Sequence, residues 1–400
     1  MKGLWIVLPA LVLCACETSE DATGWSVNVD TLATGTIHAV NTPAGSPAQE
    51  WALEETFRVG TVDDSGPSSF GGLRGFVVFD DGRFAVLDGP SQEVRVFGAE
   101  GTYLATWGGK GGGPGELEAA YGLMRDSRGT LWVPDHQNAR MSVFDPEAGF
   151  QWSAPLRVLR RGFIWAGAMV ESDRVWKPSI ALGPPIRNVM RVYDSEMNPV
   201  DSLPMPPNPR IDPEDPPGSF FWQSADGRSR AYFGVPYFPQ GETLIDPRGV
   251  VWSTVYGDPS YRVARWVPGG DTTLVLETRR ATVAIPPSER DSAIASVREQ
   301  MLQMGGANQD WSKVPEIRPA VSGMFLSDEG QLWVRTPVEN GEVFDVYDRS
   351  GRHLRTVRNP LHLYSWLRPH VRGDQFWAVV VDDLDVQYVV RAQLTPASTN

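Results

Sequence analysis

The chain has 400 residues, 41% hydrophobic and 21% charged, with a formal net charge of −13 and no basic run. That balance argues against nucleic acid as a partner. Forty Gly, 33 Pro and 15 Trp suit a fold of many tight turns with aromatic packing, and such a fold can use a chain of this length as one domain rather than two or three.

Lys2 provides a short positive start, and Leu4 to Leu13 is an apolar run of ten residues. A run of that length is too short to span a bilayer and matches the core of a signal peptide. It ends Leu13-Cys14-Ala15-Cys16, which resembles a bacterial lipobox with cleavage before Cys16. The resemblance implies that residues 1–15 are a signal peptide, that Cys16 carries lipid, and that membrane contact is made through that lipid. Cys14 then leaves with the signal, so the two cysteines are not read as a disulfide. Glu17, rather than Asp, follows Cys16, which by the same resemblance favours the outer membrane, facing the periplasm or the cell surface. Residues 16–50, polar with scattered Gly, Pro, Ser and Thr, read as a tether.

Beyond the tether a D-x-x-G turn followed by an aromatic strand core recurs. It reads Asp80-Asp81-Gly82-Arg83-Phe84-Ala85, Asp126-Ser127-Arg128-Gly129-Thr130-Leu131-Trp132, Asp246-Pro247-Arg248-Gly249-Val250-Val251-Trp252 and Asp328-Glu329-Gly330-Gln331-Leu332-Trp333. Degraded copies surround Trp176 and Trp377. The intervals between the core residues Ala85, Trp132, Trp176, Trp252, Trp333 and Trp377 are 47, 44, 76, 81 and 44 residues. Three of these match a unit of four short strands, about 40–50 residues. The two long ones match a unit plus an insertion of about 30–35 residues. Small strand units that cannot bury their own faces must stack on one another. The expected fold is therefore all-β: a six-bladed β-propeller with four-stranded antiparallel blades over 51–395 and one inserted helix. A seventh blade hidden in an insertion is the alternative count.

Within the second copy, Ala120 to Met124 reads as the innermost strand, Leu131 to Val133 as the second and Met141 to Phe144 as the third. The third-strand pattern returns at Val94 to Phe97, Met190 to Tyr193, Val263 to Trp266 and Val343 to Tyr347. The last copy ends with a third strand near Gln387 to Leu394 and has no outer strand of its own. Residues 52–59 resemble the outer strand Tyr103 to Gly108, so this N-terminal strand is expected to complete the last blade and remove an exposed edge.

The first insertion, about 204–240, opens with prolines that favour extended chain, then carries Phe220, Phe221, Trp222, Tyr232, Phe233, Tyr237 and Phe238. It reads as a loop packed on the propeller, or as an aromatic lid over the channel mouth. The second, about 280–318, contains a helix to about Met304, with Ser288 as its cap and Ile294, Val297, Met301 and Met304 on one face. It is expected to dock against the propeller.

Catalytic signatures are sparse. The run Gly108 to Glu116 lacks the Gly-Lys-Ser/Thr ending of a phosphate loop and reads as a turn between blades. No G-x-S-x-G is present, the five histidines show no zinc spacing, and Asp382-Asp383-Leu384-Asp385 reads as a solvated hairpin turn. No catalytic residue, metal ligand or cofactor is assigned.

The segment from Gly108 through Asp145, with Gly-x-Gly-Gly-Pro-Gly-Glu-Leu, the D-x-x-G turn and then Asp135, Asn138, Arg140 and Val143-Phe144-Asp145, resembles an NHL repeat. Residues 50–395 as a whole resemble the bacterial six-bladed β-propeller lipoproteins related to NHL proteins. The resemblance implies a structural, strand-turn role for Asp135, Asn138 and Arg140, and it is specific for fold rather than activity. The functional expectation is a lipid-anchored binding or scaffold protein, one form of which is a role in assembling a neighbouring envelope machine. The alternative is a hydrolase or lyase like the gluconolactonase and peptide-amidating-lyase propellers, with a metal in the central channel. The expected inner strands offer Arg74, Tyr121, Trp165, Arg318, Trp366, Arg368 and His370. That mixture suits an anionic or aromatic ligand, or a peptide or protein segment, better than a divalent cation.

Overall fold

The repeated turns at Asp126 and Asp246 are held by their own aspartates, whereas Phe79 and Ser327 occupy that position in the turns 79–82 and 327–330. The Asp126 carboxylate accepts hydrogen bonds from the backbone N–H of Arg128 and Thr130, both at 2.9 Å, and Gly129 takes the left-handed φ of 87° that closes the loop. Asp194, Asp348 and Asp382 make the same pair of bonds two and four residues on. The repeat is thus a device for reversing the chain between strands. In the computed structural model, the described residues are 19–20, 24–44, 50–62, 66–156, 165–171, 174–181, 187–206, 217–224, 226–306 and 308–397. Residues 1–15, expected as a signal peptide, and Cys16 lie outside them.

The described chain is mostly β-strand in small antiparallel sheets. Three stand alone as four-stranded meanders: the first from Leu73–Val78 to Tyr103–Gly108, the second from Met124–Arg125 to Gly149–Pro155, the third from Ala168–Val170 to Pro199–Pro204. A fourth group, from Thr243–Ile245 to Thr272–Thr278, belongs to a seven-stranded sheet. An eight-stranded sheet joins two further groups, Gly323–Leu326 to His353–Asn359 and His370–Arg372 to Gln387–Pro396, through strand Glu50–Val59. That strand pairs antiparallel with Gln387–Pro396, as the sequence suggested, and also parallel with His353–Asn359. The third strands lie where the sequence put them. The innermost strand of the second copy is shorter than expected, Met124–Arg125; ahead of it the N–H groups of 118–120 go to the carboxylate of Asp135 and the side chain of Gln92.

The core is laid down between successive groups. Ala85, Leu87 and Val94 pack on Leu131, Val133 and Phe144. Trp132, Met141 and Val143 meet Val175, and Val170 and Met190 meet Ile245 and Trp266. Trp252, Val263 and Leu274 contact Leu332 and Tyr347, Trp333 and Phe344 contact Phe376 and Val390, and Trp377 and Val379 return to Phe84 and Phe97 of the first group. The repeated Trp residues fill these interfaces, as their position in the repeat suggested.

The tether expectation for 16–50 is corrected. Trp25–Thr31 and Ile37–Pro43 form a hairpin whose second strand pairs in parallel with Thr272–Thr278. Trp25, Val27 and Ala39 are buried, and the side chain of Asn41 donates to the carbonyl of Gly351 at 2.9 Å while accepting from the His353 N–H at 2.9 Å. Alternation of buried and exposed positions in a polar segment was the signal that composition obscured.

The two insertions also differ from expectation, since they fold onto each other. The first contains the hairpin Ser219–Gln223 and Arg230–Gly234, the second the helix Pro287–Gln303. Phe220, Val235, Ile294, Met301 and Val314 form a common core, with Trp222, Phe233 and Trp311 around it. Ser288 does not cap the helix; Pro286 occupies the cap position. Met304 is exposed rather than part of the buried face.

Candidate functional site

The first strand of each group, or the residues leading into it, converges on a cavity of about 350 Å³. Arg74 and Phe76 come from the first group, Gly122 and Leu123 from the second, Trp165 from the third, Glu242 from the fourth, and Ser322–Phe325 and Tyr364–Pro369 from the last two. The volume is that of an ordinary small-ligand pocket.

Four of the seven residues singled out from the sequence line this cavity: Arg74, Trp165, Trp366 and Arg368. Arg74 is exposed to it and has no hydrogen-bond or ion-pair partner among the described residues. Its aliphatic stem lies across Gly89, where an added Cβ would stand 2.6 Å from Arg74 Cγ. A Cβ there would push the Arg74 stem aside, so Gly89 leaves room for this side chain. Trp366 is 56% exposed, in contrast to the buried tryptophans of the repeat. Trp165 is nearly buried; its indole N–H points to the Met124 sulfur at 3.1 Å, and Lys177 Nζ stands 4.7 Å from the ring centroid. Arg368 donates to the Thr243 carbonyl at 2.6 Å. Crowding by surrounding protein lowers its pKa, with Glu242 opposing, yet the side chain still faces solvent in the cavity.

The other three are placed elsewhere. Tyr121 is packed edge-on against Trp165, ring centroids 6.1 Å apart, behind the cavity wall; burial, with Asp135 adding to it, pushes its phenol up to about 12. Arg318 lines a second cavity of about 260 Å³ and is held by Glu289 at 2.8 and 2.6 Å. It therefore serves the inserted subdomain. His370 is 3.5 Å from Asp328, in a belt of charges where Arg372 bridges Asp328 and Asp80, and Asp80 also takes Arg125 at 2.8 Å. These residues fall at the D-x-x-G turns, so the belt ties neighbouring groups together there. Burial disfavours the charge on Asp328, but His370 and Arg372 outweigh it and hold the carboxyl at about 2.

Sequence reasoning missed Glu242, Arg335 and Tyr364. Glu242 and Tyr364 lie outside the repeated motif, and Arg335 lies on the second strand Leu332–Val338, where an inner-strand position was not expected; only ring geometry brings the three to the cavity. Arg335 is engaged by Ser322, with bonds of 3.1 and 2.9 Å, and stands 3.7 Å from Glu342. Glu242 has its backbone paired with Thr254, while its carboxylate has no hydrogen-bond or ion-pair partner among the described residues.

Other motifs are structural. The Asp135 carboxylate accepts from the N–H of Glu118 and Ala119 and from the Asn138 amide at 2.7 Å. Arg140 and Asn138 hold the carbonyls of the glycine-rich loop, which is a connection between sheets, not a phosphate cradle. Asp382 to Asp385 form a hairpin turn. Among the described residues no three His, Cys, Asp or Glu side chains come together in a way that could hold a metal ion. The residues present therefore do not fit the metal-holding channel of the alternative expectation. No described helix is long and apolar enough to cross a membrane.

No protein-family model and no curated protein matches the chain. Solved structures of propeller-type proteins do superpose on it. One, described as an exported protein of Bacteroides fragilis, is 13% identical with a TM-score of 0.46, covering 86% of this chain and 95% of that one. A member of a family of unknown function from Bacteroides vulgatus is 9% identical, TM-score 0.46, covering 87% and 99%. Virginiamycin B lyase from Staphylococcus aureus, solved with quinupristin, is 10% identical, TM-score 0.40, covering 86% and 100%. Likeness this low transfers nothing about activity to this chain.

Proposed function

We propose that the chain is a six-bladed β-propeller, anchored to the bacterial envelope by a lipid on Cys16, that acts as a binding or scaffold protein and takes an anionic, aromatic ligand in its central cavity. The observation that carries the ligand class is Arg74, a guanidinium on the cavity wall with no hydrogen-bond or ion-pair partner among the described residues. A planar guanidinium donates two parallel hydrogen bonds to a carboxylate or phosphate. Trp366, on the wall of the same cavity, offers an exposed aromatic face, and a Trp left open in a cavity is a contact surface rather than core. The blade count is supported by the core clusters, which run from group to group and return from Trp377 to Phe84.

Titration of the protein with phenylacetate, followed by calorimetry, tests the ligand class. Arg74→Ala should weaken binding about ten-fold or more, and equal binding by both proteins would overturn the reading. Anchoring is tested separately: labelled palmitate should enter the wild-type chain in bacteria and be absent from Cys16→Ser. Glu17 in the following position supports retention at the outer membrane, checked by membrane fractionation.

A further inference from the structure

Ser19–Glu20 pairs antiparallel with Trp25–Thr31, with Ser19 opposite Val27 and Glu20 opposite Ser26. Counting back from Ser19 therefore leads along that strand toward the hairpin tip. Only three peptide steps separate Ser19 from Cys16 in the sequence, a reach of about 10 Å even at full extension. A free tether over 16–50 would instead let the ring wander about 30 Å from its anchor. The folded hairpin removes that slack.

Strand order places the same segment on the rim. Ser19–Glu20 is the outermost strand of the seven-stranded sheet, and Thr243–Ile245, beside the cavity, forms the opposite edge. At the usual spacing of paired strands the two are about 30 Å apart. The tip residues 31–35 are exposed and carry no charged side chain, and Leu32 is 46% exposed. Thr36 donates its hydroxyl to the Thr272 carbonyl at 2.8 Å, which brings the tip beside the turn that carries the exposed Val267.

Resting on the proposed lipid on Cys16, we infer that the bilayer lies against this hairpin tip, on the rim of the fourth group, so that the propeller is docked side-on to the membrane with its cavity mouth clear of the lipid. The lipid holds the chain at the surface, and Leu32 and Val267 add apolar contact beside it. The first group lies across the ring from the fourth, because the core clusters pass through the second and third groups on one side and the fifth and sixth on the other. Its outer strand Tyr103–Gly108, with the exposed Leu104, is then farthest from the bilayer.

The test uses the full lipidated chain in vesicles of phosphatidylethanolamine and phosphatidylglycerol, a fraction of which carry a nitroxide on the headgroup that quenches nearby fluorophores. Leu32→Cys, Leu104→Cys and Trp366→Cys are each labelled with a fluorophore; Cys14 leaves with the signal and Cys16 is blocked by lipid, so the introduced thiol is the one that reacts. All three positions are exposed, so the label leaves the core intact. Quenching should be several-fold greater at position 32 than at 104 or 366, and inserting about 20 Gly and Ser residues after Glu17 should bring it down to the level at 104. Equal quenching at 32 and 104, quenching at 366 equal to that at 32, or quenching at 32 that persists after the insertion overturns the inference. Labelled palmitate in the same preparations separates the two readings: no incorporation removes the anchor and this inference with it, while a lipidated chain with equal quenching removes the docking alone.

Discussion

Trp25 stacks on His353, with ring centroids 4.1 Å apart and 25° between the planes. The indole comes from the N-terminal hairpin and the imidazole from the start of strand His353–Asn359, so the contact fastens the hairpin to the far side of the sheet boundary. The Arg280 guanidinium lies over the same indole at 4.9 Å. Trp25 is 4% exposed, and Trp25→Ala should cost about 3–5 kcal/mol. Urea unfolding measures it. An unchanged midpoint would mean that the hairpin is an appendage after all.

Below this contact, Asp345 is fully buried and receives both arms of Arg280, at 2.6 and 2.5 Å, and the Tyr261 hydroxyl at 3.2 Å. Burial alone would raise its pKa. His353 and Arg280 outweigh that and hold it well below the usual carboxylate range. Breaking one member of such a pair strands a charge, so Asp345→Asn should destabilise by about 3–5 kcal/mol. The double variant Asp345→Asn/Arg280→Met should recover part of the loss, which a double-mutant cycle in chemical denaturation will show.

Strand Glu50–Val59 is hydrogen-bonded on both edges. Deleting residues 50–60 would expose two strand edges and remove Leu53 and Val59 from two core clusters. The truncated protein is expected to lose cooperative unfolding, seen as broadened thermal transitions and rapid proteolysis. A sharp transition at the wild-type temperature would contradict the role of the strand.

Asp328 gives the chain a specific acid sensitivity. Its folded pKa of about 2 lies below the ordinary value of 3.8, so the unfolded state binds the proton first. The stabilisation is complete above the unfolded value and is lost as pH falls from about 4 to about 2. The difference in melting temperature between wild type and Asp328→Asn should therefore be largest at pH 5–6 and shrink toward pH 2. A difference independent of pH would rule out the ion pairs as its source.

Glu289 ties the two insertions to each other by accepting from Arg318 and from the Tyr237 hydroxyl at 2.8 Å. The pair is partly solvent-exposed, so Glu289→Gln should change global stability by less than about 1 kcal/mol. Local opening should still increase, measured by hydrogen exchange over 217–238 and 287–306. Exchange equal to wild type would show that the apolar core of the subdomain suffices.

Of the candidate site, the arginine and tryptophans at 74, 165, 366 and 368 were reachable from the sequence because the repeat sets where an innermost segment must fall. Arg318 was misassigned for the converse reason: it follows an insertion, where counting from the repeat no longer gives position. Glu242 was invisible because a single glutamate in an irregular stretch carries no pattern. The hairpin at 25–43 was hidden by polar composition, although its alternation was present.

By itself, then, the sequence determined the local devices: the aspartate-held turns, the strand succession they separate, the tryptophans between sheets, and the pairing of strand 50–59 with the end of the chain. These follow from short-range hydrogen bonding and from a periodicity that repeats. Tertiary structure alone decided that the two insertions pack on each other, that the N-terminal hairpin is fastened over Asp345, and that Arg74, Glu242 and Arg368 face one cavity. Those outcomes join residues far apart in the chain, and their physical basis is burial and charge matching across surfaces that exist only once the sheets have stacked.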